Sequence, residues 1–300
     1  MRTTPNYFDP DTIAKLRGLP LRARHIVEGY ITGLHRSPHQ GSSVEFVEHR
    51  EYSPGDDLRY VDWKVYAKSD RYYVKRFQEE TNLICHLLVD TSESMSYQGP
   101  RAAMSKLEYA KCLAATLAYL VLAQQDSVGI TTYSTKVEQD TSPSNQPSSW
   151  RSLMHLLQEA EATGKTASAR VFHELAERWK KRSLVLIFSD LFDTPEDVLQ
   201  GIRHLRYRQH DVAVFHILDQ EEVEFSMDTT AVFSGMEGMP KVTVNPHQLR
   251  KAYIEEFRQY EKKLRHGCSV NKVDYHRVLT SNRFDHILRP FLMSRYSGSS

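Results

Sequence analysis

Cysteine is scarce in this chain, and so are the features that would fix it in a membrane. The three cysteines, Cys85, Cys112 and Cys268, are an odd number. Cys85 and Cys112 lie in apolar runs, so they read as reduced, buried side chains and not as a disulfide framework, which fits the cytosol. The longest apolar run, CLAATLAYLVLA at residues 112–123, is too short to span a bilayer and reads as a buried helix. The opening residues MRTTPNYFDPDTIAKL lack the apolar centre and cleavage site of a signal peptide. A charge excess is missing as well. With 39 basic against 38 acidic residues, no general field exists to hold nucleic acid or an anionic membrane. The most basic stretch, IRHLRYRQH at 202–210, suits the solvated face and C-terminal end of a helix, where cations complement the macrodipole.

Ready-made catalytic motifs are absent too. There is no Gly-x-Gly-x-x-Gly, no Gly-x-Ser-x-Gly elbow, no His-Glu-x-x-His and no Cys-x-x-Cys, and the 14 histidines show no zinc spacing. TGKTAS at 163–168 ends like a P-loop, but Glu159 stands where the first glycine is required and the stretch follows a helical segment. A nucleotide-binding loop is therefore rejected.

What the chain does contain is alternation. Apolar β-rich runs at 83–89, 127–133, 183–189, 211–218 and 273–279 are separated by stretches that suit helices near 101–125, 148–161, 168–181, 195–208 and 246–265. This pattern predicts an α/β fold with a doubly wound, mostly parallel sheet, Rossmann-like in its layering, over residues 83–295. Residues 1–82 form an N-terminal extension, helical and then β-like, expected to pack on the α/β domain. Short alternating runs over 220–246 suggest a small β insertion.

The runs LLV and IFS each end in an aspartate, Asp90 and Asp190. In a parallel sheet, ligands collect beyond the carboxyl ends of the strands, where strand order reverses. If the two strands are neighbours, their carboxylates converge with the hydroxyls of Ser92, Ser94 and a threonine of the 162–168 loop. Carboxylates mixed with neutral hydroxyls suit Mg²⁺ or Mn²⁺, which take oxygen ligands in an octahedron at roughly 2.0–2.1 Å. An ion held this way would accept an acidic group from a partner.

Asp90-x-Ser92-x-Ser94, then Thr166 in a glycine-containing loop and Asp190 after a later strand, resembles the metal-ion-dependent adhesion site of von Willebrand factor A domains. That resemblance implies Asp90, Ser92 and Ser94 as direct or near-direct ligands, Thr166 as a switching ligand and Asp190 as a ligand often acting through water. Upstream, Phe46, Arg50, Tyr52, Pro54, Gly55, Asp56, Asp57, Arg59, Asp62 and Trp63 keep the spacing of a long motif. It is similar to the signature of the bacterial family numbered fifty-eight among the domains of unknown function. The ending LRPFLMSR at 288–295 is similar to that family's C-terminus. The resemblance implies a non-enzymatic, cytoplasmic adaptor with a MoxR-type AAA+ ATPase as partner, acting in chaperone-like maturation or assembly of other proteins. Where the family's loop often reads Gly-Gly-Thr, this chain has Gly164-Lys165-Thr166, which places an ammonium near the expected ion.

Structural readings stand beside these. An Asp-x-Ser-x-Ser turn also serves as a cap that satisfies backbone donors. Arg50, Arg59, Asp57, Asp62 and Trp63 also suit ion pairing and packing of the N-terminal region. The alternative in function is a metal-dependent hydrolase or phosphotransferase using Asp90. Ser92 stands where a phosphatase of the dehalogenase type would carry a second aspartate.

Overall fold

A computed structural model describes residues 7–34, 49–51, 72–75, 83–225, 231–233, 242–244 and 246–297. The described residues group into two compact units: those up to Gly33 with those from Leu83 onward, and those between Leu34 and Asn82. In the latter unit, His49–Glu51 (β1) pairs antiparallel with Tyr73–Lys75 (β2), with Arg50 opposite Val74. Tyr52, Gly55, Asp56, Asp57, Arg59, Asp62 and Trp63 lie outside the described residues.

The larger unit is built on Ile84–Asp90 (β3), Ser127–Tyr133 (β4), Val137–Asp140 (β5), Leu184–Ser189 (β6), Asp211–Leu218 (β7), Ala231–Phe233 (β8), Val242–Val244 (β9) and Asp274–Leu279 (β10). Six of these form one sheet in the order β10-β7-β6-β3-β4-β5. All its pairings are parallel except β5 against β4. β3 and β6 are apolar at nearly every position because both of their faces are covered; all six residues of β6 are buried.

The helices are Pro10–Ala14 (α1), Leu19–Leu34 (α2), Lys106–Ala123 (α3), Ser149–Glu159 (α4), Ser168–Arg178 (α5), Pro195–Tyr207 (α6), Gln220–Glu224 (α7), Pro246–Val270 (α8) and Phe284–Ser297 (α9). Side-chain alternation along β3 sends Leu87 and Val89 into one core, with α2, α3, α4 and α9, and Leu88 into the other, with α5, α6 and α8. Helices on both faces make the sheet doubly wound. α8 approaches α6 closely at Gly267, where a Cβ would stand 2.3 Å from a methyl of Leu199. α6 begins on a Thr194 cap with Pro195 in its first turn and ends with His204 and Arg206, as its charge pattern predicts.

The outcome differs from the sequence expectation in four places. α1 and α2, grouped by sequence with residues 1–82, belong to the α/β unit: Ile13, Ala23 and Ile26 are fully buried in the core that holds Leu87 and Leu113. β5 adds an antiparallel edge whose last three residues are exposed, so it has no apolar run to announce it. The stretch 220–246 opens with the short helix α7 before the antiparallel pair β8–β9. α9 lies beyond the helices expected from sequence, and it continues through Pro290. All three cysteines are buried and free, and burial pushes each thiol up to about 12. Among the described residues no helix is long and apolar enough to cross a membrane.

Candidate functional site

From β3 the chain moves outward to β4 and β5, then returns to β3's other side for β6, β7 and β10. The strand order therefore reverses between β3 and β6, and a crevice is expected at their carboxyl ends. Val89 is in register with Phe188, which brings Asp90 level with Ser189 and Asp190 one residue beyond.

Asp90 is wholly buried. It accepts hydrogen bonds from the Ser92 amide at 2.8 Å and the Ser189 hydroxyl at 2.6 Å. The hydroxyls of Ser92 and Ser94 lie 3.1 Å apart, and Ser94 also hydrogen-bonds Asp190. The turn is clamped to β4 through the Thr91 amide, which donates to the Tyr133 carbonyl at 2.7 Å. The loop bearing Thr166 is stitched to the same turn. The Thr163 amide donates to the Thr91 carbonyl at 2.7 Å and the Glu93 amide to the Gly164 carbonyl at 2.9 Å. Gly164 makes the second bond possible at φ +78°, a conformation that suits glycine. Thr166 itself is half-buried and Lys165 is exposed.

Asp190 is held from three directions. The Phe192 amide donates to one of its oxygens at 3.2 Å, and the Lys106 ammonium to the other at 2.7 Å. Its backbone carbonyl accepts from Nε2 of His216 at 2.9 Å. Because a carbonyl can only accept, His216 carries its proton on Nε2, and Nδ1 accepts a hydrogen bond from the Tyr275 hydroxyl at 2.5 Å. Burial pushes His216 down to about 4, so the ring is neutral. Leu191 adopts φ 51°, a costly value for a branched residue, and is pinned by Ser189 Oγ, which accepts from its amide at 2.8 Å. This turn leaves Phe192 55 % exposed beside the crevice.

The electrostatics of the two aspartates are opposed. Burial, and then the charge of Asp190, push Asp90 above the usual carboxylate range. Burial would raise Asp190 as well, but the Lys106 ammonium and the hydrogen bonds of Lys106, Ser94 and Phe192 hold it below that range. Lys106 also lies 2.5 Å from Glu222 of α7. Burial opposes its charge, yet its two carboxylates raise its pKa. Sequence reasoning assigned the nearby ammonium to Lys165; the ammonium bonded to Asp190 is Lys106. Its partners are 84 and 116 residues away. The one local signal is a lysine at the first position of a helix, where the macrodipole disfavours a cation.

The donors fit a hard dication: two carboxylates and two hydroxyls, all oxygen, around adjacent strand ends. Near Asp90, the buried Tyr133 hydroxyl lies beside the hydroxyls of Ser189 and Ser168, which adds neutral oxygens to the surroundings of the carboxylate. Among the described residues no three His, Cys, Asp or Glu are grouped to hold a metal, so any ion here must rely on hydroxyls.

Strand order and the layering of helices define a doubly wound, mostly parallel α/β fold with a crevice at the strand ends. The chain belongs to the family described as protein of unknown function DUF58, whose model matches residues 48–263. It is similar to the uncharacterized protein Rv1480 of Mycobacterium tuberculosis, with 28 % identity over 220 residues, covering 72 % of this chain and 68 % of that one. Among solved structures it is similar to the conserved hypothetical protein BatB of Bacteroides thetaiotaomicron, at 13 % identity and TM-score 0.49, covering 72 % of this chain and all of that one. It is also similar to the SpRpn10 VWA domain, at 10 % identity and TM-score 0.38, covering 68 % and 92 %.

Proposed function

We propose that this protein is a non-enzymatic, cytoplasmic protein-binding adaptor in which Asp90, Ser92, Ser94, Thr166 and Asp190 hold Mg²⁺ or Mn²⁺. The observation that carries this reading is the pair Asp90 and Asp190, two buried carboxylates at neighbouring strand ends with the Ser92 and Ser94 hydroxyls between them. Two like charges in a low-dielectric crevice repel, and Asp90 is raised first by its burial and then by the charge of Asp190. A bound dication supplies compensating charge and an open position for an acidic side chain of a partner. The chain's own residues do the rest. The Ser92 amide and Ser189 hydroxyl orient Asp90, His216 anchors the Asp190 backbone, and the loop at 163–167 is fastened to the turn.

The partner we propose is a MoxR-type AAA+ ATPase or its client, in chaperone-like maturation or assembly of other proteins. The test is calorimetric titration of metal-stripped protein with Mg²⁺ and Mn²⁺, comparing wild type with Asp90→Ala. Saturable binding that the substitution removes is the expected result; no binding by folded wild type overturns the ion site. Purified ATPase captured with Mg²⁺ present, and released by chelator or by Asp90→Ala, is the expected result for the partner. Equal capture under all three conditions refutes it.

A further inference from the structure

Lys106 enters the crevice from outside the Asp-x-Ser-x-Ser turn. Its side chain is 1 % exposed, its ammonium touches Asp190 at 2.7 Å and Glu222 at 2.5 Å, and Glu222 is 26 % exposed. The group belongs to the first turn of α3, where a lysine is electrostatically misplaced, so its carboxylate partners, not the helix, account for its position. Asp190 and Glu222 share this one ammonium, and Asp90 lies close enough for the charge of Asp190 to act on it. When all three are ionised, the excess of two negative charges equals the charge of one divalent ion.

Glu222 connects the ammonium to a second structure. It completes a capping box at the start of α7, its carboxylate accepting from the Asp219 amide at 2.8 Å. α7 is also tied to the turn after β10, where the Ser281 hydroxyl donates to Gln220 at 2.9 Å, and to the loop before α3. Arg101 pairs with Glu221 at 3.0 Å and Glu224 at 2.7 Å, and the Gly99 amide donates to Asp219 at 3.0 Å. Lys106 is therefore the bond between the end of β6 and α7.

We propose that Lys106 is a resident cation of this site, holding Asp190 in the absence of a divalent ion and ceding it to the ion while remaining on Glu222. The exchange loosens α7 from the end of β6, so that α7 reports whether the site is filled. This inference rests on the ion-binding reading above. Two buried monovalent partners release one another at a tolerable cost only if each keeps or gains another; Lys106 keeps Glu222 and Asp190 gains the dication.

The experiment uses the full chain and Mg²⁺, with calorimetry and amide hydrogen exchange as readouts. Lys106→Met is expected to bind Mg²⁺ at least ten-fold more tightly than wild type. Glu222→Gln, which leaves the ammonium only Asp190, is expected to bind it several-fold more weakly. In wild type, Mg²⁺ is expected to speed exchange at residues 220–224 at least two-fold, a response absent in Lys106→Met. If Lys106→Met does not fold, Glu222→Gln and the wild-type exchange response decide. Unchanged or weaker binding by folded Lys106→Met overturns the proposal, as does α7 exchange indifferent to Mg²⁺, the outcome expected if Lys106 acts only through its long-range field. Ion binding that Asp90→Ala removes but Lys106→Met leaves at the wild-type level refutes the exchange and leaves the ion site standing. No binding by any variant removes both.

Discussion

Asp90 ends the apolar strand β3, Asp190 and Asp219 directly follow β6 and β7, and all three are buried. Asp219 is saturated by neutral donors: the Gly99 amide at 3.0 Å, the Glu221 amide at 3.0 Å and the Thr280 hydroxyl at 3.1 Å. It is the cap that an aspartate at a strand-to-helix turn is expected to be. The charge of Asp190 acts on Asp90, and among the described residues Asp190 is the one of the two that pairs with a cation. Burial of a strand-end carboxylate is thus no evidence of function. What distinguishes the candidate site is two adjacent carboxylates with a single ammonium, bonded to Asp190, among the described residues beside them.

The sharpest way to break this contrast is to remove each carboxylate in turn. Asp219→Ala abandons three buried donors and is expected to cost about 3 kcal/mol, at about 1 kcal/mol each, in urea unfolding of metal-free protein. Acid gives an effect of similar size at a place the contrast does not involve. His86, stacked on Trp179 with ring centroids 3.8 Å apart, is pushed down to about 4 by burial, with His210 adding to the shift. Its folded pKa lies below the value near 6.5 of an unfolded histidine, so its contribution is complete above pH ~6.5 and is lost as pH falls towards ~4. The loss is on the order of 3 kcal/mol, and His86→Phe is expected to flatten that part of the stability profile. A profile unchanged by the substitution would show that the ring is not the titrating group. Gly99→Ala ranks next, because its Cβ would stand 2.2 Å from an Asp219 oxygen; the clash is expected to cost about 2 kcal/mol in the same unfolding assay. Asp90→Asn comes last. It removes a repelled charge while keeping the shape, so metal-free protein should unfold within about 1 kcal/mol of wild type, or later. A larger loss at Asp90 than at Asp219 would reverse the assignment of cap and site.

β3, β4, β6 and β7 were legible because central strands covered on both faces are largely apolar runs, and β10, a partly exposed edge strand, was legible from its β-rich run; all five fall within a residue or so of the expected positions. The Asp90, Ser92, Ser94 turn and Asp190 were legible as strand ends. β5 was not, since VEQD is a polar edge strand. In α9, Phe284, Ile287, Leu288 and Phe291 keep helical spacing and are buried, but Pro290 reads as a breaker. Ser189 was hidden because its role depends on which strand lies beside β3, and Asp219 because its donors come from the loop at Gly99 and from Thr280 after β10. Such distant partners are created by topology and leave no local pattern.

The burial of the three cysteines also makes the chain spectroscopically silent to thiol chemistry. With every native thiol inside the core and its pKa near 12, almost none is thiolate at neutral pH, and maleimide reagents react with thiolate. A cysteine introduced by Phe192→Cys, at a position 55 % exposed and two residues past Asp190, would carry a fluorophore or spin label alone, without any native cysteine being replaced. The mouth of the crevice can therefore be watched directly in otherwise native protein as ions or partners arrive.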